Sequence, residues 1–214
     1  GSSYDSLELS MSGRGAAGQG GNKHKNAVKG GCIDQQYNVF STESMLDNTH
    51  SFYALANFGG MGYDRKGQAS LIHQYDIYEK ARHTVAGGEV NNLFGKRWNG
   101  TLKTHAAVSN PFEGGKEQYS GAAELRYNGN IKGTDVSGNY YYSSPYFPGN
   151  RRGATYMQQS AYKRFSRENA FRIGGYYSRY APKSHTLQMN YKNSQVSGDA
   201  EYYLPRVENT TVSF

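Results

Sequence analysis

Beyond Gly60 the chain alternates, and this alternation constrains the fold more than any other feature. Ala69, Leu71, His73, Tyr75 and Ile77 fall on one side of a period-two run, and Leu125, Tyr127, Gly129, Ile131 and Gly133 on one side of another. Similar runs follow at 136–142, 171–177, 187–191 and 196–204. Successive side chains of a strand point to opposite faces, so this part of the chain reads as β throughout. Turn residues at Asn110-Pro111, 145–149 and 192–195 punctuate it and predict antiparallel pairing. The expected architecture is all-β: one domain over 1–214, an antiparallel barrel of about eight strands with a small additional sheet and long loops.

The first sixty residues read differently. Leu7, Leu9 and Met11 alternate in an opening strand, but 13–31 is rich in Gly and Lys with little to bury, which predicts a flexible loop or arm. Between Gln36 and Phe58, the residues Met45, Leu46, Tyr53, Leu55 and Ala56 predict a short helix, capped by Ser41 or Thr42 and ended by Gly59-Gly60.

Composition removes several classes. Mean hydropathy is -0.83, and no apolar run approaches the roughly 20 residues of a membrane-spanning helix. No signal-peptide pattern opens the chain. Aromatic residues make up 14% of the sequence, too many for an ordinary disordered segment. Cys32 stands alone, so neither a disulfide framework nor a cysteine-ligated metal site is expected. A net charge of +7 favours acidic partners. The pairs Lys96-Arg97 and Arg151-Arg152 are nonetheless no stripe of the kind that tracks phosphates, so nucleic acid is not an expected partner.

A barrel of this composition stands either in a membrane or outside one. A transmembrane strand needs about 9 to 11 residues with apolar side chains at alternate positions facing lipid. In 170–180, Phe171, Ile173, Gly175, Tyr177 and Arg179 form one face and Ala170, Arg172, Gly174, Tyr176 and Ser178 the other. Each carries an Arg, and the Arg172 face would cost about 2–4 kcal/mol at a bilayer midplane. This favours a barrel or sandwich outside the bilayer. An integral outer-membrane barrel, a porin or transport pore, remains the alternative, because Tyr-, Gly- and Asn-rich alternation is common to both; a glycan-binding β module is a third reading.

No catalytic motif is present: no His-Glu-x-x-His, Gly-x-Ser-x-Gly, phosphate loop or dinucleotide fingerprint. The expectation is therefore a binding protein rather than an enzyme, without cofactor or metal. His24, His50, His73, His83, His105 and His185 have no metal-ligand spacing, and His73, alternating with Leu71 and Tyr75, reads as an interior residue. Two connections have the composition of interaction hot spots. The stretch 143–153 holds Tyr146, Phe147, Arg151 and Arg152, and 92–98 holds Leu93, Phe94 and the single Trp98. Sharing one end of a barrel, they would form one partner-binding patch. The competing readings are a plug made by Tyr146 and Phe147, and strand positions for Leu93 and Trp98.

Tyr127-Asn128-Gly129-Asn130-Ile131-Lys132-Gly133-Thr134, leading into Val136-Ser137-Gly138-Asn139-Tyr140-Tyr141-Tyr142, resembles a hairpin signature of Neisseria-type surface lipoprotein receptors for host haem and iron proteins. These are the haemoglobin-haptoglobin utilisation lipoproteins and, more distantly, the transferrin-binding lipoproteins. Stretches 90–102 and 187–200, the latter with Asn190-Tyr191-Lys192-Asn193 and Val196-Ser197-Gly198, are similar to a second hairpin of that family. The family's Phe-Tyr-Gly is replaced by Tyr141-Tyr142-Ser143, and a further β segment follows. The resemblance implies a lipid-anchored protein on the extracellular face of the outer membrane. It would capture a host haem or iron protein, haemoglobin ahead of transferrin, for uptake through a TonB-dependent transporter.

Overall fold

The computed structural model describes residues 2–6, 9–22, 25–34, 49–59, 66–93, 98–166, 169–186 and 191–203, with side chains from residue 15 onward. Every regular element among them is a strand: β1 (Ser2–Ser6), β2 (Leu9–Gly21), β3 (Asn26–Asp34), β4 (His50–Phe58), β5 (Gly67–Asp76), β6 (Ala81–Asn91), β7 (Trp98–Pro111), β8 (Gln118–Ile131), β9 (Thr134–Ser143), β10 (Ala154–Arg164), β11 (Ala170–Tyr180) and β12 (Asn193–Tyr203). They form one twelve-stranded sheet in chain order, antiparallel throughout.

The β8–β9 hairpin illustrates how local sequence sets the meander. Lys132 and Gly133 both take positive φ, 48° and 79°, as a two-residue turn matched to strand twist requires. The Asn130 side-chain oxygen accepts the Gly133 N–H at 2.9 Å. Register is then fixed from Ile131↔Thr134 back to Ala122↔Ser143. Two glycines make room for aromatic rings across the strands. A Cβ on Gly129 would fall 2.4 Å from the Trp98 ring, and one on Gly138 would fall 2.6 Å from the Tyr127 ring.

Several expectations are corrected. The barrel of about eight strands with a small extra sheet is replaced by a single open sheet of twelve, in which no pairing joins β1 to β12 among the described residues. The strand number rises because segments read as loop and helix are strands too. Residues 13–31 pair as β2 and β3, from Arg14↔Asp34 to Gly21↔Ala27; backbone hydrogen bonds hold such a hairpin without side-chain bulk. Residues 50–58 form β4, with Tyr53 and Leu55 buried and Phe52 exposed at period two. Met45 and Leu46 lie outside the described residues. The expected turn at 192–195 is strand from Asn193 onward, where β12 starts, while 187–190 lie outside the described residues.

Burial alternates along the strands. In β5, Ser70, Ile72 and Gln74 are buried while Ala69, Leu71 and His73 are exposed. Among the described residues no second layer covers the buried side, so the sheet curves around it and the 144–153 loop lies over it. Ile33, Tyr53, Leu55, Ile72, Val85, Ala107, Ala122, Tyr141 and Ala154 meet there with Phe147 of that loop, which is fully buried. This side is the inner face, and the opposite side the outer face. His73, expected inside, is on the outer face, where its Nδ1 lies 3.0 Å from Thr84 Oγ1.

Candidate functional site

Two adjacent rows of cross-strand partners define the chemistry of the sheet. On the outer face, Phe58, Gly67, Val90, Leu102, Leu125, Tyr140, Met157, Tyr177 and Val196 run side by side from β4 to β12. One residue away on the inner face run Asn57, Gln68, Glu89, Lys103, Glu124, Tyr141, Tyr156, Ser178 and Gln195. The first row holds no charge and no amide. Every member of the second is polar.

Much of the outer row is exposed, Phe58 by 48%, Met157 by 45% and Val196 by 77%, while Gly67 is buried and Leu125, Tyr140 and Tyr177 are half-buried. Charged residues on the outer face from β4 to β12 are limited to Arg82, Lys163 and Arg179, each next to the end of its strand. Arg82 lies over the Tyr75 and Phe112 rings, and Lys163 over Phe165. Outer-register aromatics also gather at strand ends, with Phe58, Trp98, Phe171 and Tyr202 at one end and Tyr75 and Tyr119 at the other.

Six members of the inner row, Asn57, Gln68, Glu89, Lys103, Glu124 and Tyr156, are hydrogen-bonded or ion-paired. Gln68 donates to Asn57 at 2.9 Å, and Glu89 takes a hydrogen bond from Asn91 and the charge of Lys103 at 3.6 Å. Glu124, almost fully buried, accepts from Arg126 Nε at 2.8 Å and lies 2.6 Å from Arg126 Nη2. Tyr156 OH reaches Glu124 at 3.4 Å and accepts from Arg151 at 2.7 Å and Asn139 at 3.0 Å. Such pairing offsets the cost of holding carboxylates away from bulk water. Arg172, counted above against a membrane, belongs to this face, 3.8 Å from its cross-strand partner Glu201.

At one end of the sheet three connections are tied together. Arg152 Nη1 donates to Glu79 Oε1 at 2.8 Å and to Lys183 O at 3.2 Å, while its Nε donates to Phe147 O at 3.2 Å. The other Glu79 oxygen accepts from Ser184 Oγ at 3.0 Å and the His185 N–H at 3.1 Å. Burial alone would raise the Glu79 carboxyl, but these donors and the Arg152 charge outweigh it and hold it below its ordinary value. Burial and the Arg152 charge hold His185 low, against the opposite pull of Glu79. The latch joins the 77–80 turn, the 144–153 loop and 181–186, and seats Phe147 in the core.

The two aromatic-basic connections stand at opposite ends of the sheet, since the β6–β7 connection leaves from the end opposite to β5–β6 and β9–β10. Phe147 is buried, and Tyr146 packs against His185 at 5.3 Å with Lys183 over its ring. Arg151 stacks on Tyr141 and Tyr156, and Arg152 is in the latch. Trp98 opens β7 and lies over Gly129; Leu93 is exposed just after β6; Phe94 lies outside the described residues. The polar inner row was missed from sequence. Its signal was the alternate set within the period-two runs, such as Glu89 beside Val90 and Lys103 beside Leu102. Among the described residues no His, Cys, Asp or Glu cluster is arranged for a metal, and no helix is long and apolar enough to cross a membrane. The chain matches no protein-family model, no curated protein and no solved structure.

Proposed function

We propose that this chain is a membrane-spanning β-sheet of the outer-membrane type, its outer face against lipid and its inner face lining a polar passage. The observation that carries this is the pair of rows, uncharged outside and polar inside, sustained from β4 to β12. Strand length agrees: β3 and β4 have 9 residues, β7 and β8 have 14, and the rest from β5 to β12 have 10 or 11, against the 9 to 11 that cross a bilayer when tilted. Arg and Lys at strand ends lie where long side chains reach the headgroups, and aromatics at both ends match interfacial girdles. Exposed apolar side chains across most of a sheet are otherwise an aggregation liability. In lipid the open edges at β1 and β12 have to be paired as well, because hydrocarbon offers no other hydrogen-bond partner.

Capture of a host haem protein through Tyr146, Phe147, Arg151 and Arg152 has less support, because these side chains are spent on packing and bonds within the chain. The deciding experiment is expression in a Gram-negative host followed by alkaline carbonate extraction of the membranes. The chain is expected to stay in the membrane pellet and to need detergent for release. Recovery as a monodisperse species in buffer without detergent would overturn the reading.

A further inference from the structure

We infer that the outer-face row His50, Tyr75, Arg82 and Asn110 holds the phosphate of an anionic lipid headgroup, with the Arg82 guanidinium as its main donor. The inference rests on the reading of the outer face as lipid-facing and deepens it from a surface to a site. The four residues are direct cross-strand partners on β4, β5, β6 and β7, close enough for one small group to touch adjacent members. They stand at the end of the sheet that carries the latch.

What selects the ligand is the set of donors left over. Among the described residues, the Arg82 guanidinium, the Tyr75 hydroxyl and the Asn110 amide have no hydrogen-bond or ion-pair partner. On a lipid-facing side, neighbouring unspent donors call for a group that accepts hydrogen bonds. An ionised phosphate does so, and the planar fork of Arg meets two of its oxygens at once. A headgroup with its own cation sets that charge against Arg82. The chain's nearby carboxylates are engaged elsewhere. Asp76 accepts from the Tyr78 and Glu79 N–H groups, Glu113 is paired with Lys80, and Asp34, beyond His50 in the same row, is fully buried.

The row is also held in place. Tyr75 stacks on His50 at 4.9 Å and on Phe112 at 4.4 Å. Arg82 lies 5.9 Å from the centres of both the Tyr75 and Phe112 rings. These contacts position the guanidinium without using an N–H, so little ordering is needed on binding. The other outer-face cations lack such a frame: Lys163 has the single ring of Phe165, and the cross-strand partners of Arg179 are Thr155 and Ser194.

The test is mass spectrometry of the intact chain released from detergent micelles that hold equal amounts of phosphatidylglycerol and phosphatidylcholine. The wild-type chain is expected to retain phosphatidylglycerol about tenfold more than phosphatidylcholine, the scale of one hydrogen bond to a charged group. Arg82→Gln is expected to erase the preference, and Arg82→Lys, which keeps the charge but not the fork, to keep only part of it. Arg179→Gln removes the same charge elsewhere on the outer face and is expected to change the preference less than about twofold. Equal retention of the two lipids, a preference that survives Arg82→Gln, or its loss in Arg179→Gln would each overturn the site. Inorganic phosphate at the lipid concentration is expected to displace nothing; displacement would make this a site for free phosphate and overturn the lipid assignment. Alkaline extraction of membranes holding the same chain separates the two readings. A chain that resists extraction without a lipid preference keeps the membrane and loses the site, and one that washes off yet keeps the preference does the reverse.

Discussion

Strands β7 and β8 carry two faces that have almost nothing in common. Outward stand Leu102, Ala106 and Val108 beside Leu125, Gly121 and Tyr119; inward stand Lys103, His105 and Ser109 beside Glu124, Ala122 and Gln118. The backbone is shared, and a slip of one residue would exchange the two environments. What separates them is chemistry: the inner one ties Lys103 and Glu124 into ion pairs within the protein, and the outer one presents mostly apolar side chains. Register therefore decides which environment each side chain meets, more than the identity of any one side chain.

The largest break in this contrast comes from removing the apolar contact that seals the inner face. Phe147→Ala is expected to cost about 3–5 kcal/mol, read as the shift in a urea unfolding curve of the reconstituted chain. An unchanged midpoint would mean the loop does not cover the core. Next comes a charge in the outer row. Leu102→Lys should cost about 2–4 kcal/mol in vesicles, whereas an exposed site in water would change by less than about 0.5 kcal/mol, so the size of the loss tells which medium the row faces.

Smaller effects sharpen the picture at the latch. Arg152→Ala removes a charged donor from the largely buried Glu79 and should cost roughly 1.5–3 kcal/mol, with faster proteolysis of the 144–153 loop as its readout. Acid should act on the same place. Because the folded Glu79 carboxyl sits below its ordinary 4.5, its contribution is complete above that pH and is lost as pH falls through the lower folded value. Limited proteolysis should therefore find the loop closed at neutral pH and opening only below about 4.5, and Glu79→Gln should flatten that profile. The smallest effect belongs to the exposed Lys80–Glu113 pair, 3.1 Å apart with both side chains more than half exposed. Glu113→Gln should leave stability within about 1 kcal/mol of the parent; a larger loss would mean that this end of the sheet is drier than its exposure implies.

Much of the strand content was legible because period two survives glycine and tyrosine substitution: Leu125, Tyr127, Gly129 and Ile131 do share a face. Which face looked where was not. Arg172 and Arg179 lie on opposite sides of one strand, and only the cross-strand partner Glu201 shows that Arg172 belongs inside. For the same reason His73 was placed inside from its neighbours Leu71 and Tyr75, although in this sheet an apolar run marks the outer side. Strands β2 and β3 escaped because Gly and Ala satisfy a backbone ladder without leaving a hydrophobic signature. The 144–153 loop was correctly singled out as dense in aromatic and basic groups, but sequence cannot distinguish groups that bind a partner from groups that bind each other.

Because every strand pairs only with its neighbours in the chain, the sheet has a consequence for how it forms. Closing each hairpin joins segments close together in sequence, so the entropy of long loop closure is avoided and contact order stays low for so wide a β structure. Assembly can then advance hairpin by hairpin, each new strand docking on the growing edge without being threaded between two that are already paired.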